Sequence, residues 1–320
     1  MKKFVLFLCF VVALALAASA QNQSDLPAWA YVVRPADYKG PADDGSVHHV
    51  PNSKGGWTAT QLNDFFYVAD WHPEDHPPMP EIVARGRKPE VYACGVCHRA
   101  DGPGGPENAA LAGLPQAYIV QQMADFKSGA RRSALPERRP AHWMVAVAEA
   151  VNDAEVAAAA AYFSSLKPRK TITIVETDLV PKTHVVGWIL APVNNQDKEP
   201  IGQRIIETPK DVEQFESRDA RSEFIAYVPT GSVARGAALA KTGGDGKTVQ
   251  CNLCHGPDLT GLGAVPGIAG RSPSYIVRQL IDIQRGKRAS AAGLPMKGVV
   301  ANLNQDDIVS VASYLASLAP

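Results

Sequence analysis

The chain has 320 residues, of which 46% are hydrophobic and 20% are charged, as in a globular protein of about two domains. Basic and acidic side chains both number 32, and this zero net charge argues against a strongly basic nucleic-acid-binding protein. Aromatic residues make up only 7%, which is little for two cores of this size and suggests that something besides side chains fills them.

Residues 1–20 have the layout of a secretory signal peptide, with a basic start, an apolar run over 4–18 and a small-residue cleavage site before Gln21. An uncleaved membrane anchor is the alternative, but a spanning helix needs about 20 apolar residues. We expect an exported protein of the bacterial periplasm, with no transmembrane segment after cleavage. Cleavage would also remove Cys9 and leave four of the five cysteines.

Those four cysteines form two copies of one motif, C-x-x-C-H, which is the attachment signature of c-type haem. The copies are Cys94-Gly95-Val96-Cys97-His98 and Cys251-Asn252-Leu253-Cys254-His255. Two thiols at this spacing can add to the vinyl groups along one porphyrin edge, and the following histidine then lies under the iron as an axial ligand. A zinc site, a thioredoxin-like dithiol and plain disulfides are the alternatives, and none of them explains two motifs that each end in histidine.

The repeat extends beyond the motif and indicates a duplicated domain. Residues 94–132 align without a gap with residues 251–289, and 14 of these positions are identical, including Tyr118 with Tyr275 and Gln122 with Gln279. We expect one domain over 80–168 and another over 231–320.

Each copy has the pattern of a helical domain. Ser272-Pro273 predicts the start of a helix that ends near Gly286, and Ile119, Met123, Phe126 and Gly129 repeat its pattern in the first copy. Capping-box patterns at Asn152-x-x-Glu155 and Asn304-x-x-Asp307 predict a last helix in each domain.

Methionine is a common second axial ligand of haem iron and raises its potential. Met144 and Met296 occupy matching places before the last helix of each copy, after a loop that we expect to present them without helical constraint. They are therefore the predicted distal ligands. Met123 belongs to an apolar stripe and Met79 has no counterpart, while His142 could replace Met144.

With these motifs, the chain resembles the two-haem class I cytochromes c, in particular the cytochrome c4 group. The resemblance rests on both C-x-x-C-H motifs with Met144 and Met296, and on Ala-Arg-Gly at 84–86 and 234–236. It implies a mainly α fold of two tandem domains, each with one covalent haem. It also implies an electron carrier without catalytic residues, working between redox protein partners: a quinol-oxidising complex or dehydrogenase as donor and a terminal oxidase or reductase as acceptor.

Two segments depart from that family, an N-terminal extension over 21–79 and an inter-domain insert over 169–230. The insert begins with the strand-like alternation of residues 171–175, and five prolines divide the rest into short pieces. We expect both segments to be extended arms around the haem domains, with a small β-hairpin possible in the insert. These additions leave a second hypothesis open, a cytochrome subunit docked in a larger oxidoreductase complex. A third, a two-haem peroxidase, would need one iron with a free sixth site, which two matched methionines argue against.

Overall fold

The protein was analysed as a computed structural model, which describes residues 25–40, 42–194 and 196–320. The predicted signal peptide lies outside these ranges. Among the described residues, no helix combines the length and the apolar character that crossing a membrane requires.

The first repeated region is helical. Its helices are α2 (Glu81–Ala84), α3 (Cys94–His98), α4 (Gln116–Ser128), α5 (Arg139–Ala150) and α6 (Asp153–Ser165). The capping box predicted at the start of α6 is confirmed. The Asn152 side chain accepts from the Glu155 backbone, and the Glu155 carboxylate accepts from the Asn152 backbone. Helix α4 ends as predicted at Gly129, which has a left-handed conformation.

The second repeated region follows the same order. Its helices are α8 (Ser232–Thr242), α9 (Asn252–His255), α10 (Pro273–Gln284), α11 (Leu294–Val300) and α12 (Gln305–Ser317). Ser272 caps α10 by accepting from the Tyr275 amide, and Asn304 forms the predicted capping box with Asp307. A short hairpin of β10 (Gly261–Leu262) and β11 (Val265–Pro266) lies between α9 and α10, although no strand was expected in this region.

The insert is a folded β unit. Its strands are β3 (Ile172–Glu176), β4 (Leu179–Pro181), β5 (Thr183–Val186), β6 (Ile189–Pro192), β7 (Lys198–Pro200), β8 (Ile206–Pro209) and β9 (Phe224–Val228), with helix α7 (Val212–Glu216) before β9. Strand β9 is the centre of a three-stranded sheet, parallel to β3 and antiparallel to β8, while β5 and β6 form the hairpin that the sequence allowed. With 37% helix and 14% strand, the description of the chain as mainly α fits the two repeats but misses the insert.

The insert shares its core with the second repeated region. Ile172, Ile189 and Ile205 belong to the same buried cluster as Ile276, Val309 and other side chains of α10 and α12, and Tyr31 of the N-terminal extension joins it. The extension otherwise contributes α1 (Ala59–Leu62) and the short strands β1 (Val47–His48) and β2 (Trp57–Thr58). The first repeated region has a separate core.

Candidate haem-attachment sites

The two motifs fold in closely similar ways. The motif histidines end α3 and α9, and each is only 7% exposed. His98 Nδ1 lies 2.8 Å from the carbonyl oxygen of Ala109, and His255 Nδ1 lies 2.7 Å from that of Pro266. Because a carbonyl can only accept, each Nδ1 carries the hydrogen, and each Nε2 keeps a lone pair. A metal-binding histidine is oriented in this way by a partner on its other nitrogen.

Burial keeps both imidazoles neutral. Desolvation lowers the pKa of His98 and of His255, and this outweighs the opposing effect of their hydrogen bonds to backbone carbonyls. A neutral imidazole is the form that binds a metal ion. The side chains at these two positions are thus prepared in charge and in orientation for the role that the sequence predicts.

The four motif cysteines form no disulfide with one another. Desolvation raises the pKa of Cys94 to about 12 and also raises the pKa values of Cys97 and Cys251. Burial thus disfavours the thiolate form at these three cysteines. Thiols beside a neutral histidine are the groups that covalent haem attachment uses.

Both methionines predicted as distal ligands lie in helices. Met144 is half-buried in α5, and Met296 is half-buried in α11 and packs against the large core of the second region. The expectation of a loop at these positions is wrong, because Pro140 and Pro295 occupy the first turns, where proline favours helix initiation. The exposed alternative His142 lies in α5 as well.

Met79 is closer to the first motif than its place in the sequence suggests. Met79 packs against two hydrophobic clusters, one of which also contacts Cys94 and the other Cys97. It lies in the non-repeated extension, so the alignment of the two copies gave no signal for it.

The two repeated regions meet through reciprocal contacts of Arg131 and Arg288, which the repeat alignment pairs. Arg131 donates to Tyr275 Oη at 2.9 Å and to Gln279 Oε1 at 3.0 Å, while Arg288 donates to Gln122 Oε1 at 2.8 Å and to Tyr118 Oη at 3.3 Å. The backbones of the two arginines also form an antiparallel bridge. The sequence analysis singled out the tyrosines and glutamines as repeat identities but did not predict an interface.

Comparisons with known proteins agree with this geometry. A family model for cytochrome c matches residues 83–167. Cytochrome c4 from Stutzerimonas stutzeri is 26% identical over 235 residues, which cover 72% of this chain and 86% of that protein. The cytochrome subunit of sulfide dehydrogenase from Chlorobaculum tepidum is 32% identical over 96 residues, which cover 29% of this chain and 84% of that protein.

A solved structure of thiosulfate dehydrogenase (TsdBA) from Marichromatium purpuratum superposes with a TM-score of 0.50 at 26% identity. The match covers 74% of this chain but only 39% of that one. The chain therefore belongs to the cytochrome c family, a class of electron-transfer proteins with covalently attached haem. Within that family it is a cytochrome c4-like protein.

The residues present fit such a group. The cysteine sulfur atoms and the Nε2 lone pairs of His98 and His255 supply the attachment and ligand atoms. In addition, Arg138 and Arg271 each keep a buried Nε–H that has no hydrogen-bond partner among the described residues. Haem carries two propionates, and carboxylates are the anions that guanidinium groups bind best.

Proposed function

We propose that this protein is a periplasmic two-haem c-type cytochrome that carries electrons between a donor and an acceptor protein. The observation that carries the proposal is the repeated histidine arrangement: both motif histidines are buried, neutral, and bonded through Nδ1 to equivalent backbone carbonyls. The family model matches the region of the first motif, and the equivalent arrangement of His255 supports the same role for the second.

In this proposal Cys94 and Cys97 hold one haem and Cys251 and Cys254 hold the other. The Nε2 atoms of His98 and His255 would be the proximal ligands, and the sulfur atoms of Met144 and Met296 would be the distal ones. Haem iron supplies reversible one-electron chemistry when bound.

The protein's contribution is to keep each site constant during that change. The carbonyls of Ala109 and Pro266 fix the orientation of the histidine rings, and burial excludes a proton from Nε2. Two protein ligands on each iron would leave no coordination position for a substrate, as a carrier requires.

A second candidate is a cytochrome subunit of a larger oxidoreductase. The names of two similar proteins, a subunit of sulfide dehydrogenase and a thiosulfate dehydrogenase, favour it. The chemistry at the irons would be the same, and only the permanence of the partner would differ. Size-exclusion chromatography of the protein purified from its native host separates the two, because a subunit elutes with its partner.

The test of the proposal is haem content. We expect two covalent haems per chain in a pyridine haemochrome assay, and one in each of the variants Cys94→Ser/Cys97→Ser and Cys251→Ser/Cys254→Ser. The reduced protein should stay low-spin and bind carbon monoxide only slowly. One haem in the unmodified protein would contradict the proposal, and rapid carbon monoxide binding would favour the peroxidase alternative.

A further inference from the structure

The two attachment motifs differ in how much of them reaches the surface. In the first motif Gly95 and Val96 are buried, and Val96 is only 2% exposed. At the equivalent positions of the second motif, Asn252 is exposed and Leu253 is 63% exposed. The following cysteine shows the same difference, because Cys254 is exposed and Cys97 packs within a hydrophobic cluster.

The N-terminal extension covers the first motif on one side. Val68 lies directly against Gly95, because a Cβ added at Gly95 would lie 2.9 Å from the Val68 side chain. The Phe65 carbonyl accepts from the Ala93 amide at 2.9 Å, which fixes the extension to the residue before the motif.

The insert covers the first motif on another side. Arg218 donates from Nη1 to the carbonyl oxygen of Val96 at 3.1 Å, and its guanidinium lies over the Phe65 ring at 5.7 Å. Trp71 donates to the Ser217 carbonyl at 2.7 Å and so joins the two covers. Both segments are additions to the cytochrome pattern, and none of their described residues buries Asn252, Leu253 or Cys254 of the second motif.

The segment that carries the second motif is apolar and nearly uncharged. Leu253 and Leu262, at 63% and 59%, are the most exposed large hydrophobic side chains of the described residues, and Val249 is 46% exposed. Helix α9 packs against the hairpin that carries Leu262. Between residues 249 and 266 the sequence contains a single charged side chain, Asp258.

We propose that Val249, Leu253 and Leu262 form the docking face for redox partners, so that electrons pass through the second haem. This inference rests on the proposed function, because it requires a haem at Cys251 and Cys254. Thioether bonds would hold one edge of the porphyrin ring at the cysteines. Because electron tunnelling slows steeply with distance, electrons should enter and leave through the haem edge that is not covered by protein. Each transfer moves one electron from the donor's reduced centre to the acceptor's oxidised centre, with no change in bonds or protons.

The near absence of charge in this segment indicates what kind of partner fits it. It fits an electron-transfer protein that presents an equally apolar, uncharged surface, since such contacts form without matching charges. The interface would be small and transient. The association rate should then depend little on ionic strength, because salt acts on charge steering.

A second copy of this protein presents such a face and is therefore a suitable probe. We expect electron self-exchange between reduced and oxidised protein, measured by NMR line broadening, to change less than about twofold between roughly 0.02 M and 0.5 M salt. The double variant Leu253→Lys/Leu262→Lys should exchange at least about tenfold more slowly, because two like-charged faces repel. The matched control Leu179→Lys/Val193→Lys, at positions 51% and 55% exposed in the insert, should remain within about twofold.

An unchanged rate in the Leu253→Lys/Leu262→Lys variant, or an equal loss in the control, would overturn the docking face. Haem content is measured on the same samples. Fewer than two haems in the unmodified protein would contradict the proposed function instead, so the two failures are distinguishable.

Discussion

At the scale of single residues, the two motif histidines show how a backbone carbonyl prepares a ligand. The hydrogen bond to Ala109 or Pro266 selects the tautomer, and burial removes the charge. Nothing equivalent holds Met144 or Met296, whose thioethers have neither a proton to place nor a charge to suppress. Their role as ligands is therefore better tested by redox potential than by geometry.

Met296→His should lower the potential of one haem and leave the other unchanged. Imidazole stabilises the oxidised iron more than a thioether does, so the shift should be on the order of 0.1 V or more, within the roughly 0.8 V that axial ligands span. A spectroelectrochemical titration measures both potentials. Met123→Leu, a change of a half-buried methionine in α4, is the matched control and should move neither potential. Two unchanged potentials in Met296→His would remove Met296 as a ligand.

His76 and Asp70 form an ion pair in the N-terminal extension, with His76 Nε2 at 3.2 Å from Asp70 Oδ1. The hydrogen bond that His76 donates to this carboxylate raises the pKa of His76 above its ordinary value, despite partial desolvation. The ion pair therefore stabilises the folded protein fully below the pKa of histidine in the unfolded chain, about 6.5. This stabilisation is lost as the pH rises through the higher pKa of His76 in the folded protein.

Asp70→Asn should accordingly lower the free energy of unfolding by about 1 kcal/mol near pH 5.5 and by much less near pH 9. Thermal melts followed by circular dichroism at the two pH values measure the difference. Asp37→Asn, a change of the same type at an exposed position, should have no pH-dependent effect. An equal loss of stability at both pH values would show that the pair does not act through the charge of His76.

At the scale of elements, the same tripeptide serves two different purposes in the two copies. Gly236, in the Ala-Arg-Gly of α8, lies where α8 crosses α12, and a Cβ added there would overlap the carbonyl oxygen of Ser310. Gly86 instead follows the end of α2, with a φ of +65°, and an added Cβ would overlap the Val91 carbonyl. The same three residues thus belong to a helix crossing in the second copy and to a turn in the first.

Gly236→Ala should destabilise the protein by about 1–3 kcal/mol, because α8 and α12 must separate to accommodate the methyl group. Helix propensity alone predicts the opposite sign, a gain of up to about 1 kcal/mol. Gly298→Ala in α11 is the control, since an added Cβ there meets no described atom within 4 Å, and it should be neutral or stabilising. Chemical denaturation of both variants gives the two signs, and a stabilised Gly236→Ala would refute the close crossing.

The sequence predicted those elements that local interactions determine. Caps at Ser272, Asn152 and Asn304 are confirmed, because a capping side chain bonds to a backbone only three residues away. The sheet of the insert was predicted only at its first strand, β3, because β3 pairs with β9 across some fifty intervening residues. No local pattern encodes such a pairing, nor the covering of the first motif by residues from two distant segments.

At the scale of the whole molecule, the interface explains why several repeat identities occur together. Arg131 and Arg288 each bond to a tyrosine or glutamine of the opposite region, so one set of residue types serves both sides of an approximately two-fold contact. The additions break this symmetry, since the insert shares the core of the second region only and the covers protect the first motif only. The two repeated regions, alike in sequence, therefore differ in how far their attachment motifs are exposed.

Arg131 and Arg288 should be energetically coupled, because both bond to Gln122 and Gln279. Each single change to alanine removes the arginine donor of one tyrosine, while both glutamines keep the other arginine, and should cost about 1 kcal/mol. The double variant should cost clearly more than the sum of the two, because only it leaves both glutamine oxygens without an arginine donor. We expect one thermal transition for the unmodified protein in calorimetry. In the double variant this transition should broaden or divide in two, because the two regions then unfold separately. Arg85→Ala, at a side chain 62% exposed outside the interface, should leave the transition intact, and additive losses at Arg131 and Arg288 would refute the shared network.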